Sequence, residues 1–255
     1  MSKMQKIYID DKYIVRDKSS SDGSQAKYYS DSKWYKIDYF GGEAESEYLA
    51  SLLLDCTDLD KESYVSYKKV LINGQVGCVS KDFRTNNEEE FVTFYRLYKN
   101  IYGRDLATVT SRMDYDDAIT YVIGFVKKET GLDVTTYLAN TFWLDSIILN
   151  TDRHFNNYGI IMSGEGYREA PIFDNGKSLL TGESIDRRGV SISDAVKKVY
   201  SKSFSSKHML NYNLLKEHCT ISLDKHKLLL ALAEQENSLQ KQVLEHQLEE
   251  GGGVT

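Results

Sequence analysis

The feature that most constrains this chain is a change of hydrophobic period near residue 84. Upstream, β-branched and aromatic residues gather in short strand-like runs at 7–15, 28–29, 34–39, 64–72 and 75–83, separated by polar or glycine-containing turns. Asn73-Gly74 joins the last two runs. That dipeptide is a strong hairpin signal, because both central positions of a type I′ turn need positive φ. Downstream, apolar residues recur at three- and four-residue spacing over 88–102, 116–129 and 134–149, the last with Asp133 as expected N-cap, and again over 224–249. One helix interrupts the strand region. Residues 43–54 set Ala44, Tyr48, Ser51 and Leu52 at helical spacing, with acidic residues in the first turns where the helix dipole favours them. A further strand pair is expected at 158–162 and 167–173, around Ser163-Gly164-Glu165-Gly166. The pattern predicts an α+β chain of two lobes: a strand-rich lobe over 1–84, a helical lobe over 85–250, and a frayed tail over 251–255. In the last helix Leu228, Leu232, Leu239 and Val243 form a stripe expected to pack on the helical lobe.

Composition narrows the class. With 255 residues, 41% of them hydrophobic and 27% charged, the chain is large enough for a well-buried core and too apolar to be disordered. No apolar run approaches a membrane span, and the first fifteen residues alternate polar with apolar, so a cytoplasmic protein with no membrane contact is expected. A net charge of −6 argues against direct nucleic-acid binding, which depends on a basic surface to displace counterions. Cys56, Cys78 and Cys219 lie far apart with no CxxC pairing and read as reduced thiols.

The chemistry concentrates in Asn150-Thr151-Asp152-Arg153-His154-Phe155-Asn156-Asn157 and, one hairpin later, Phe173-Asp174-Asn175-Gly176. An acid, an amide five residues on, and a second acid after a hairpin bring oxygen ligands and acceptors to one mouth. Phosphoryl transfer needs that set, since its catalysis consists mainly of placing Mg²⁺ on phosphates and orienting the nucleophile. Asp174 and Asn157 are the expected metal ligands, and Asp152 the expected acceptor of the attacking hydroxyl's proton. His154 is expected to hydrogen-bond locally, and the nineteen tyrosines to be core and rim aromatics.

These residues resemble the D-x-x-x-x-N loop and following acid of the HipA-like serine/threonine kinases, in particular the short, CtkA-type members; the resemblance runs from the loop near Gly23 to Gly176. It implies a bilobal protein-kinase-like fold and an ATP- and Mg²⁺-dependent kinase acting on a protein acceptor. Further roles follow from it. Lys36 resembles the strand lysine that contacts ATP phosphates, with Glu47 as its helix partner and Glu43 as the alternative. Gly23, Ser24 and Gln25 resemble a phosphate-cradling turn, and the connector carrying Val79, Lys81 and Phe83 is expected beside adenine. Ser20 is the expected site of autophosphorylation. The DRHxxN wording also occurs in phosphoinositide kinases, so a small-molecule or lipid kinase remains open, as does a nucleotide-binding pseudokinase regulator. The chain shows no room for the extra N-terminal domain of full-length HipA toxins, so an antitoxin or operator-DNA partnership is not carried over.

Overall fold

In the computed structural model, which describes residues 4–15, 25–86, 88–182 and 189–250, five short strands form the first sheet. They are β1 (Gln5–Ile7), β2 (Lys27–Ser30), β3 (Lys33–Ile37), β4 (Tyr67–Ile72) and β5 (Gln75–Lys81), in the order β1-β4-β5-β3-β2. β1 runs parallel to β4 and the other pairs are antiparallel. At the β4–β5 hairpin Asn73 and Gly74 take φ of 50° and 84°, as a primed turn requires. Asn73 also ties down the β1 exit, its side chain accepting from Ile9 N and donating to Ile9 O at 2.9 Å each.

Helix α1 (Glu43–Leu54) packs against β4 and β5. Asp38 fixes its start, accepting from Gly42 N at 2.9 Å and Ala44 N at 2.8 Å and so satisfying two of the donors a helix N-terminus leaves over. Tyr28, Tyr35, Ile37, Val70 and Ile72 form a small core on one face of the sheet. Side chains alternate along a strand, so Lys36, between Tyr35 and Ile37, turns to the opposite face, toward α1.

The remainder is mainly helical: α2 (Phe94–Tyr102), α3 (Leu106–Thr110), α4 (Tyr115–Thr130), α5 (Thr135–Ile148), α6 (Ile192–Val196), α7 (His208–Leu215), α8 (Lys225–Ala233) and α9 (Leu239–Glu249). A second antiparallel sheet, β6-β7-β8, joins β6 (Glu90–Thr93), β7 (Gly159–Ser163) and β8 (Gly166–Glu169). Every residue of α5 from 137 to 148 is buried, which makes it the axis of the main core. Leu49 and Leu53 of α1 enter that same core beside Leu138, Leu144 and Leu232, so packing continues across the change of secondary structure near residue 84. Among the described residues no helix is long and apolar enough to cross a membrane.

Several boundaries differ from the sequence reading. The run 7–15 is a strand only to Ile7; Asp10 accepts from Lys12 N and nucleates a 3-10 turn at Asp11–Tyr13, a local bond that competes with the ladder. The run 88–102 is strand β6 followed by α2, with Thr93 as N-cap accepting from Arg96 N. Pairing with β7 decides this, and Gly159 permits it: a Cβ there would stand 2.4 Å from the Phe91 ring and 2.8 Å from Val92 O. Helix α5 starts after Val134, while Asp133, the expected cap, bonds Thr135 N and Lys127. The span 224–249 is two helices, because Ser238 opens a second one by accepting from Lys241 N. Leu228, Leu232 and Val243 are buried in the main core and Leu239 packs against it. The strand expected over 167–173 stops at Glu169, leaving Ile172 in a single parallel bridge to Tyr64.

Candidate active site

Lys36 is brought inward by β3 and meets two carboxylates. Its Nζ lies 2.8 Å from Glu47 Oε1 and 2.7 Å from Asp174 Oδ1, and it also sits 5.1 Å from the centre of the Tyr67 ring. Glu47 is 1% exposed and spends its second oxygen on Asn175 N at 2.8 Å, so one helical glutamate clamps both the strand lysine and the loop that carries Asp174. Glu43, one turn earlier, instead accepts from Phe40 N at 2.8 Å, and its Oε2 is buried without a hydrogen-bond partner among the described residues. Burial disfavours the charge on each group of the cluster. Two carboxylates outweigh it for Lys36, whose pKa rises well above the ordinary range, and Lys36 and then Lys27 outweigh it for Asp174, whose carboxyl falls well below it. Glu47 goes the other way, raised by burial that Lys36 only partly offsets. The cluster therefore holds a cation and an ionised Asp174 near neutrality.

The loop after α5 is fixed by its own polar side chains. Leu149 takes a left-handed φ of 55° and turns the chain out of the helix. Asn150 Oδ1 then accepts from Asp152 N at 2.9 Å, and His208 Nε2 of α7 lies 2.6 Å from Asn150 O. Asn157 Nδ2 donates to Asp152 O at 2.9 Å, which closes the loop between them and leaves Asn157 Oδ1 as the amide's acceptor end. His154 Nδ1 accepts from Asn156 N at 3.2 Å, and burial lowers the ring's pKa. Asp152 is partly exposed; Lys202 Nζ lies 2.6 Å from its Oδ1, and His154 Nε2 lies 3.9 Å from its Oδ2.

Beneath the loop runs a buried strut. Arg153, 1% exposed, pairs with Asp145 of α5 through Nη2 at 2.9 Å and Nε at 3.0 Å, and reaches Asn175 Oδ1 at 2.6 Å and Phe173 O. One guanidinium thus joins the central helix, the Asp152 loop and the Asp174 loop, a task its planar fork of donors suits.

All this opens into a cleft of about 1150 Å³ between the first sheet and the helices. Lys36, Asp152, Asn157 and Asp174 line it, as do Phe83, Phe91 and Phe173. The three rings meet edge-on or tilted at centroid distances of 5.2, 5.3 and 5.8 Å and form one apolar aromatic cluster on the cleft wall. Among the described residues no group of three His, Cys, Asp or Glu side chains forms a metal cage. Asn157 and Asp174 offer oxygen donors, the donor chemistry that suits a hard cation such as Mg²⁺.

Of the residues singled out from sequence, Lys36, Glu47, Asp174, Asn157 and Asp152 are brought to this cleft region, and Gln25, Lys81 and Phe83 also line the cleft. Val79 does not line it: it is an interior residue of β5, in register with Tyr35 on one side and Lys68 on the other. Ser20, Gly23 and Ser24 lie outside the described residues. Sequence reasoning missed Asp145, Arg153, Asn175 and Lys202. An arginine inside the loop motif was the available signal for the first three, whereas Lys202 lies 50 residues from its partner with no motif around it.

The fold is similar to that of a Helicobacter pylori proinflammatory kinase, CtkA, with a TM-score of 0.61 and 17% identity over 89% of both chains. It is also similar to a chain in the complex of the Shewanella oneidensis MR-1 toxin–antitoxin system HipA, HipB and operator DNA, with a TM-score of 0.50 and 11% identity. That second match covers 90% of this chain and 62% of the other. No protein-family model matches the chain, and no curated protein matches it by sequence. The chain therefore has a bilobal, kinase-like α+β fold.

Proposed function

We propose that this chain is a cytoplasmic, ATP- and Mg²⁺-dependent phosphotransferase of the HipA-like kinase family, acting on serine or threonine hydroxyls of a protein acceptor. The observation that carries the reading is the convergence of Lys36, Asp152, Asn157 and Asp174, from distant parts of the chain, on one cleft that an aromatic cluster also lines. Asn157 Oδ1 and Asp174 would hold Mg²⁺, which would supply charge to neutralise the phosphates. Lys36 binds a phosphate oxygen while Glu47 keeps its ammonium oriented. Asp152 takes the proton of the acceptor hydroxyl as the hydroxyl oxygen bonds to the γ-phosphorus and the bond from that phosphorus to the β–γ bridging oxygen breaks, releasing ADP. Arg96, Ser111 and Phe204 also line the cleft, whose volume of about 1150 Å³ would admit an acceptor segment together with a nucleotide. Ser20 is the proposed site of self-modification, where a phosphate of about −1.5 to −2 charge would oppose ATP binding at Gly23, Ser24 and Gln25.

The test is thermal denaturation with and without Mg-ATP. A ligand at a hundred times its Kd stabilises by ~2.7 kcal/mol, which in a chain of this size raises Tm by roughly 5–10 °C. Asp174→Ala is expected to remove most of the shift. Absence of any shift in the wild type at millimolar Mg-ATP rejects the reading.

A further inference from the structure

Lys202 belongs to a segment with no recognisable motif, yet the chain around it is built onto the Asp152 loop at several points. Ser203 Oγ donates to Arg153 O, the backbone carbonyl next to Asp152. Asn211 of α7 holds the same segment, donating to Ser203 O at 3.2 Å and accepting from Ser205 N at 2.9 Å. Phe204 stands between these bonds with a left-handed φ of 62°, a conformation that costs free energy for a bulky side chain and persists only where its surroundings impose it. The imposing contacts are aromatic: its ring centroid lies 5.4 Å from that of Phe155 and 5.6 Å from that of Phe142, both inside the main core. The loop and the Lys202 segment are therefore locked together, and the lock directs a lysine at one carboxylate oxygen.

We propose that Lys202 is a positioning residue for Asp152, an inference that rests on the phosphotransferase reading above. Asp152 is partly exposed, and a carboxylate there has rotamer freedom to lose before it can act. Lys202 Nζ, 2.6 Å from Oδ1, removes that freedom by a charge-assisted bond. The other oxygen, Oδ2, accepts no hydrogen bond among the described residues; His154 Nε2 lies 3.9 Å from it. Oδ2 is thereby the oxygen presented to the acceptor hydroxyl, and it receives that proton as the new oxygen–phosphorus bond forms. The ammonium also offsets the anionic charge of Asp152 beside the incoming phosphates.

The experiment measures label transferred from γ-labelled ATP into protein, the chain itself and a heat-inactivated host lysate, for the wild type, Lys202→Met, Lys202→Arg, Asp152→Asn and Lys202→Met/Asp152→Asn. Lys202→Met is expected to lower kcat roughly 10- to 100-fold with KM for ATP and the Mg-ATP Tm shift unchanged, the signature of an interaction used beyond ground-state binding. Lys202→Arg should recover part of the loss. The double variant should be no slower than Asp152→Asn, because a positioning residue has nothing left to position. Unchanged kcat in Lys202→Met overturns the proposal while leaving the enzyme reading intact. So does a rise in KM for ATP alone, or a loss that multiplies fully with that of Asp152→Asn. No label transfer by the wild type overturns both readings together.

Discussion

Arg153 and Asp145 form a fully buried ion pair, 2.9 Å between Nη2 and Oδ1, that connects the central helix to the loop bearing Asp152. Removing one member of such a pair leaves the other charge buried without compensation, which costs about 3–5 kcal/mol. Arg153→Met is therefore expected to lower Tm by roughly 6–20 °C for a chain of this size, measured by calorimetry or circular dichroism. The variant should also lose Mg-ATP binding, since Asn175 and the Phe173 carbonyl lose their donor with it.

Asp152→Asn separates catalysis from binding. The substitution leaves Asn157 on the Asp152 backbone carbonyl and does not touch the Lys36 cluster. The Mg-ATP thermal shift should persist while turnover falls by about 10²–10⁴, the usual size of a general-base contribution. Undiminished turnover would place the base elsewhere.

The aromatic cluster on the cleft wall predicts a nucleotide-specific loss. Phe83 meets Phe91 and Phe173 at the cleft wall, and stacking of a base on an aromatic ring is worth about 1–3 kcal/mol. Phe83→Ala is expected to weaken ATP binding roughly 5- to 150-fold in a titration, with less effect on inorganic triphosphate. Equal weakening of both ligands would show that the ring supports the fold and not the base.

Acid should loosen the anchor of the Asp152 loop through His208. Burial lowers the pKa of this imidazole, opposed by its bond to the Asn150 carbonyl and by Asp145. The unfolded chain then binds the proton first, so stability falls as pH drops below the ordinary histidine range of about 6.5 and recovers as pH rises. Tm at pH 5.5 is expected below Tm at pH 7.5, and His208→Gln should flatten the difference. A profile of the same slope in that variant would assign the effect to other groups, His154 first, whose pKa is also lowered by burial.

What could be read from the sequence was what local chemistry decides. Helix α1 has the bounds that its acidic start and apolar spacing indicate, and Asn73-Gly74 makes the hairpin that its composition requires. Strand β6 was hidden because Phe91, Phe94, Tyr95 and Tyr98 also fit a helical stripe; its pairing partner, β7, lies some 70 residues away in a segment whose pull no local window contains. The break before α9 was legible, since Ser238 is an ordinary N-cap residue, but the flanking leucines masked it. In the site, residues inside motifs were visible and their supports were not. Asp145 reads as one more polar position on a buried helix until Arg153 is seen against it, and Lys202 acquires meaning only from the fold that returns it to Asp152.

The spacing of the Lys36 contacts has a consequence for the chain during its synthesis. Glu47 lies 11 residues after Lys36, and Asp174 lies 138 after it. At about 5–20 residues per second, a ribosome adds the first partner within about 2 s and the second only after about 7–28 s. Through that interval Glu47 gives the ammonium a counter-charge, allowing β3 to settle on α1 while the Asp174 loop does not yet exist. When Asn175 N later reaches the second oxygen of Glu47, the late segment docks on a surface already in place. A substitution at Glu47 would thus show itself first as a poor yield of folded chain from translation, ahead of any deficit in the purified protein.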